Sequence, residues 1–238
     1  MNQGKHRVIR TAAGLGMILA VAIVNGCRRA PTPPQPRAHG FLALGDSYTC
    51  GESVEPSQSW PIQLAQRMRG DGVDLGQPTI IAKTGWTTDE LSAGMDRANL
   101  KGTYQLVTLL IGVNNQFRGR SIEQYRKEFI SLLKRAIALA GGKPSHVVVL
   151  SIPDWGVMPF GKDKNPSAIA KSIDDFNAVN RQETAALGAQ YVDITAESRT
   201  AATQPSLVAT DGLHPSAKMY SQWAELVIPI AEAAVKSQ

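Results

Sequence analysis

Four short segments of the 238-residue chain carry residue types that together suit nucleophilic attack on a carbonyl. The first reads Gly45-Asp46-Ser47-Tyr48-Thr49-Cys50-Gly51. A serine directly after an apolar run and a Gly-Asp turn can have its hydroxyl fixed in direction, and serine needs both orientation and a base before it attacks. The second segment reads Asp211-Gly212-Leu213-His214-Pro215. An Asp three residues before a His, with a turn-forming Gly between them, can return its carboxylate to one imidazole nitrogen. The other nitrogen is then left to take the serine proton. Ser47, Asp211 and His214 are therefore the candidate catalytic residues. A tetrahedral intermediate also requires donors aimed at its oxyanion. Gly85, in Lys83-Thr84-Gly85-Trp86, can offer an unhindered backbone N–H, and Asn114, in Gly112-Val113-Asn114-Asn115, a side-chain amide.

Each of these residues has a plainer alternative. Gly-Asp-Ser occurs in ordinary turns, His214 can pack against or cap the following helix, Gly85 can be a turn glycine, and Asn114 can cap its own loop. Cys50, three residues from Ser47, has no thiol-activating neighbour in the sequence and reads as structural or pocket-lining. His146 leads into an apolar run and reads as structural, while Asp154 suits either a brace or a surface turn. Trp86, Phe117, Trp155 and Phe160 fall in loops beside the candidate residues, where they suit packing or the lining of an acyl or sugar pocket.

The elements that must position these groups alternate between short apolar runs and longer periodic segments. Strands are expected at 41–44, 79–82, 106–111, 146–150 and 190–193. Helices are expected at about 59–68, 87–100, 121–140, 168–187 and 216–235. Pro61 suits a first helical turn, Thr87 or Thr88 can cap the second helix, and Ser121 with Gln124 forms a capping-box pattern. The run from Leu106 to Ile111 is apolar almost throughout, as befits a parallel strand covered on both faces. This alternation predicts an α/β chain folded as a three-layer sandwich with right-handed crossovers. In such a sheet ligands bind beyond the carboxyl ends of the strands, where all four segments fall.

These blocks resemble those of the GDSL or SGNH hydrolase family, matching in chain order at Ser47, Gly85, Asn114 and the Asp211–His214 pair. The resemblance spans about Phe41 to the final helix. It implies a flavodoxin-like, five-stranded parallel sheet ordered 2-1-3-4-5, that is, a three-layer α/β/α sandwich of the SGNH hydrolase fold. It further implies cleavage of esters or thioesters, with an oxyanion hole formed by the Ser47 N–H, the Gly85 N–H and the Asn114 side chain. Asn115 stands where that family commonly has Asp. An amide lacks the charge-assisted acceptor of a carboxylate, which leaves the bracing of this loop open. The acyl-enzyme route expected is that of a lipase, a lysophospholipase-like enzyme or a short-chain esterase. A carbohydrate O-acetyl esterase, a thioesterase and a non-catalytic envelope module are the alternatives.

The charge total divides unevenly. Six of the 25 Lys and Arg lie in the first 37 residues, where no Asp or Glu occurs, leaving 19 basic residues against 20 acidic ones. The basic excess therefore points to a targeting segment and not to nucleic acid. Lys5, Arg7 and Arg10 precede an apolar stretch from Ala12 to Val24, shorter than the about 20 residues of a membrane span. Residues 1–26 read as a lipoprotein-type signal peptide, because Val24-Asn25-Gly26-Cys27 resembles a bacterial lipoprotein signal ending in a lipidated Cys27. Residues 27–39, rich in proline, read as an extended tether, and 40–238 as the hydrolase domain. The location expected is the bacterial cell envelope, lipid-anchored on the periplasmic face of the outer membrane, with secretion or a free periplasmic form as the alternative. The expected partners are a small-molecule, lipid or glycan ester and the membrane, with the domain a monomer. No metal-ligand spacing, phosphate loop or basic aromatic patch occurs, so no metal, cofactor or nucleic acid is expected.

Overall fold

The computed structural model describes residues 39–236 together with Met1 and Gly4. The expected signal peptide, Cys27 and the proline-rich run thus fall, those two residues and His39 aside, outside the described residues. Contacts divide the chain into Met1–Gln35 and Pro36–Gln238, and the architecture below is that of the second unit.

Five strands, β1 (His39–Gly45), β2 (Thr79–Ala82), β3 (Tyr104–Leu110), β4 (Val147–Leu150) and β5 (Gln190–Val192), form one sheet ordered β2-β1-β3-β4-β5. Every pairing is parallel. Between and after the strands run α1 (Ser47–Cys50), α2 (Trp60–Gly70), α3 (Thr88–Ala98), α4 (Val113–Phe117), α5 (Ile122–Leu139), α6 (Pro166–Ala186), α7 (Thr195–Arg199) and α8 (Ala217–Lys236). One outer layer pairs α2 with α8, which also lies over β3, β4 and β5; the other stacks α3 on α5 and α5 on α6. The result is the expected three-layer α/β/α sandwich with its five-stranded parallel sheet.

Local chemistry accounts for these elements. Leu106, Val107, Leu109 and Leu110 of β3 are wholly buried between the helical layers, which is why that run lacks the alternation of a half-exposed strand. Pro61 lies in the first turn of α2, where a missing N–H costs no bond. Thr87 and Glu90 close a capping box at the start of α3. The box expected at α5 forms only in half. Ser121 Oγ accepts from Gln124 N at 3.2 Å, but the Gln124 amide donates to Glu128 Oε1 at 2.8 Å, one turn along, instead of returning to the cap.

Three short helices, α1, α4 and α7, stand where loops are expected from the sequence. At four or five residues each, they span too little chain for a helical period to register. Two of them carry candidate residues. Gly45 shows how tightly the first is set. A Cβ there would lie 2.1 Å from Thr49 Oγ1 and 2.5 Å from the Leu110 carbonyl, so only glycine lets β1 end against β3 and turn at once into α1. In register, Gly45 pairs with both Ala82 and Leu110, the last residues of β2 and β3. The chain therefore leaves these three strands side by side, at one carboxyl edge. Among the described residues no helix is long and apolar enough to cross a membrane.

Candidate active site

Ser47 is the first residue of α1 and is 5 % exposed. As a first helical residue it has an N–H with no intrahelical acceptor. Asp46 caps the helix, its Oδ1 accepting from Tyr48 N at 3.0 Å. The Ser47 carbonyl accepts from the N–H groups of Gly51 and Glu52, both at 3.1 Å, so the segment folds back on the serine that opens it. Asp46 itself is wholly buried, and its Oδ2 makes no hydrogen bond. Burial raises this carboxyl to about 7, against the opposing effect of the Tyr48 N–H.

His214 and Asp211 meet as their spacing suggests. His214 Nδ1 lies 2.6 Å from Asp211 Oδ2, while Asp211 Oδ1 accepts from the backbone N–H groups of Leu213 and His214, each at 2.9 Å. Partial burial pushes this carboxyl up, but the bonds from His214, Ser53 and the two backbone groups outweigh it and hold the acid well below the usual carboxylate range. Asp211 is therefore ionised at neutral pH, and Nδ1 is the nitrogen that donates to it. Tyr48 packs edge-on against the imidazole, ring centroids 5.7 Å apart, and is itself backed by Trp223 of α8. The ring is thus held by a carboxylate at one edge and an aromatic wall at its side.

Asn114 sits on α4, its Nδ2 donating to the Trp86 carbonyl at 3.0 Å. An amide nitrogen has two hydrogens, so one remains for a ligand. Gly85, at φ +85°, occupies the left-handed region that favours glycine. Its carbonyl accepts from Arg118 Nη2 at 2.6 Å. Asn115 is fully buried, and its Oδ1 accepts from Thr88 N at 3.1 Å while its Nδ2 donates to Thr88 Oγ1 at 2.7 Å. Arg120 adds a bond to Asp89 at 2.7 Å. The segment 114–120 is therefore laced to 85–89 at four residues, Gly85, Trp86, Thr88 and Asp89. This answers the question raised by Asn115: the loop is braced by a two-way amide pairing in place of a carboxylate.

Ser47, Asn114 and His214 line one cavity of about 230 Å³, together with Tyr48, Val113, Phe117, Trp155, Phe160 and Leu213. Gly85 is not among its lining residues; it stands beside Trp86, whose carbonyl holds Asn114. Phe117, Trp155 and Phe160 form an aromatic cluster with centroids 5.3–6.3 Å apart at the rim, where Phe117 and Phe160 are 53 % and 40 % exposed. Trp155 is fixed by Gln116, its Nε1 donating to Oε1 at 2.9 Å. Of the two readings for Asp154, the structure supports the brace. The side chain is buried, accepts from Gly156 N at 2.9 Å and pairs with Arg199 Nε at 2.9 Å, anchoring the turn that presents Trp155.

Other residues take quieter places. Trp86 packs on α3, where a Cβ on Gly94 would strike its ring, and Arg97 stacks on it at 5.9 Å. His146 is buried with Nδ1 2.8 Å from the Gln105 carbonyl. Burial pushes the Cys50 thiol up, outweighing its contact with Thr84, so it is no activated thiolate. Among the described residues no cluster of His, Cys, Asp or Glu is arranged to hold a metal. Sequence reasoning passed over Ser53, whose Oγ donates to Asp211 Oδ2 at 2.7 Å from 158 residues away. Neither its residue type nor its spacing carries a signal that would have found it.

A family model described as the GDSL-like Lipase/Acylhydrolase family matches residues 43–222, a span that holds Ser47, Gly85, Asn114, Asp211 and His214. No curated protein matches the sequence. Solved structures similar to this chain include TesA, with a TM-score of 0.65 at 20 % identity over 82 % of this chain and 98 % of that one. A lipase/acylhydrolase from Enterococcus faecalis has a TM-score of 0.61 at 19 % identity, covering 82 % of this chain and 95 % of its own. Axe2, an acetylxylan esterase from Geobacillus stearothermophilus, has a TM-score of 0.59 at 19 % identity, covering 83 % and 96 %. At these identities the likeness is one of fold.

Proposed function

The chain belongs to the GDSL-like lipase/acylhydrolase family, and from that premise we propose that it is a serine ester hydrolase with Ser47 as nucleophile, His214 as base and Asp211 as the acid that orients it. The observation that carries the proposal is the shared cavity: Ser47, Asn114 and His214 line it together, while the nitrogen of His214 not bound to Asp211 is left for the serine. Ser47 Oγ attacks the ester carbonyl as His214 Nε2 takes its proton. The oxyanion is met by the Ser47 N–H and the second hydrogen of the Asn114 amide, with the Gly85 N–H, which does not line the cavity, assigned as a third donor from the family's pattern. The alcohol leaves with the proton from His214, and a water activated by the same nitrogen releases the acid.

The cavity favours a short acyl group. Its volume of about 230 Å³ is below the about 300 Å³ at which drug-sized pockets begin, and Val113, Phe117, Trp155, Phe160 and Leu213 give it apolar walls. Hydrolysis of p-nitrophenyl acetate, butyrate and a long-chain ester, with S47A as control, tests this. Acetate and butyrate turnover well above that of the long chain supports the reading. A preference for the long chain contradicts the short-acyl assignment, and equal activity in S47A contradicts the nucleophile.

For the N-terminal part we read residues 1–26 as the signal, Cys27 as the lipid anchor, 27–39 as the tether and 40–238 as the hydrolase domain, on the pattern of the sequence alone. Incorporation of labelled palmitate that is lost in C27S supports it; equal labelling in C27S contradicts it.

A further inference from the structure

We propose that Ser53 is a positioning residue of this centre, its hydroxyl locking the Asp211–His214 pair to the segment that carries the nucleophile. The proposal rests on the serine hydrolase reading and adds to it a residue that reading does not use. Asp211 has four donors: Leu213 N and His214 N on Oδ1, and His214 Nδ1 and Ser53 Oγ on Oδ2. The first three belong to the same turn as Asp211. They hold the carboxylate and imidazole together within one turn but make no bond to the segment that carries Ser47. Ser53 alone of the four comes from the other side of the site, six residues beyond Ser47 in sequence. It is also rigidly joined to Ser47, because Gly51 N and Glu52 N both bond the Ser47 carbonyl and Val54 N bonds the Gly51 carbonyl. One hydroxyl thus connects base and nucleophile from a residue that is not among those lining the cavity.

The backbone carries a second, independent sign. Ser53 stands at φ +66°, and the other described non-glycine residues with positive φ are Asn99 and Asn165. Asparagine tolerates this region through its own local hydrogen bonding, whereas serine is strained there and glycine is not. Packing gives no reason for the choice, since Ser53 is exposed. What glycine would lack is the hydroxyl, and the hydroxyl is bound at 2.7 Å to the same oxygen that holds His214. Strain kept at one residue of an active region, with a specific bond as its return, is the pattern expected of a functional constraint.

Glycine is therefore the informative substitution. S53G relaxes the backbone and removes the hydroxymethyl side chain, whose one polar group is the hydroxyl. The expected result is a kcat lower by about tenfold, the scale of one hydrogen bond to a charged group partly replaced by water, with KM unchanged and a melting temperature equal to or above that of the wild type. The downfield proton resonance of the His214 Nδ1–H bond shifts, since Asp211 Oδ2 has lost a competing donor. S53A, which keeps the Cβ, shows the same loss of kcat and serves if S53G does not fold. Wild-type kcat and an unshifted resonance in the folded variant overturn the proposal. With S47A inactive in the same assay, that failure belongs to Ser53 alone; an active S47A overturns the hydrolase reading and this proposal with it.

Discussion

The side chain of Asn115 pairs with Thr88 in both directions, accepting its N–H at 3.1 Å and donating to its hydroxyl at 2.7 Å. The hydroxyl in turn donates to Glu128 on α5, so donors and acceptors run one way from amide to hydroxyl to carboxylate. An aspartate at 115 cannot donate. The Thr88 hydroxyl would then face two carboxylates with a single proton, inside a site where Asn115 is wholly buried. N115D is expected to lower stability by about 2 kcal/mol at neutral pH, the cost of an ill-matched buried group, and E128Q is expected to restore part of it. A double-mutant cycle read by denaturant unfolding checks this, with non-additivity as the predicted sign.

Asn114 is placed to act chemically while doing little for the fold. Among the described residues its side chain makes one hydrogen bond, to the Trp86 carbonyl, and the segment is held to the start of α3 through Asn115, Arg118 and Arg120 as well. N114A is expected to lower kcat by about 3 kcal/mol of transition-state stabilisation, roughly a hundredfold, with KM nearly unchanged. Thermal unfolding should barely move. Turnover at the wild-type level would remove this side chain from the oxyanion site.

Asp46 gives a pH dependence whose sign follows from its burial. Its carboxyl is raised from 3.8 to about 7 in the folded protein, so between those values the folded state keeps a proton that the unfolded state has lost. Its contribution to stability is therefore full below the lower value, falls as pH rises through the window, and levels off above about 7. D46N keeps an oxygen for the Tyr48 N–H and removes the titration. The difference in unfolding free energy between D46N and wild type is expected to grow in favour of D46N from about pH 4 to about pH 7, measured by urea titration at each pH. A difference that does not change with pH contradicts the assignment.

Much of this architecture is legible in the residues. The Leu106–Leu110 run declares itself as a strand because burial on both faces demands continuous apolar sequence, whereas Thr79–Ala82, at the sheet edge and only partly covered, shows itself as a short apolar run. Ser47 and His214 stand out because reactive side chains directly follow or precede such elements, and the Asp211–His214 spacing is closed by local turn geometry. What sequence could not show depends on which of several possible partners a side chain takes, near or distant. The Gln124 amide turns to Glu128 and not to its cap, the Arg118 guanidinium reaches the Gly85 carbonyl, and Ser53 meets Asp211 only because the loop after α1 and the turn before α8 converge. Short helices such as α4 escape for a different reason: five residues offer fewer than two turns of periodicity. Asn115 is the instructive case, since its departure from the common aspartate becomes intelligible only beside Thr88 and Glu128.

The central claim is that Ser47 is made nucleophilic by His214 across a single cavity. Its most direct test is the rate and site of labelling by a serine-reactive phosphonate, read by intact-mass and peptide mass spectrometry. One adduct on Ser47, absent in S47A and formed far more slowly in H214A, is the predicted result. An adduct on another residue, or labelling of H214A at the wild-type rate, would contradict it.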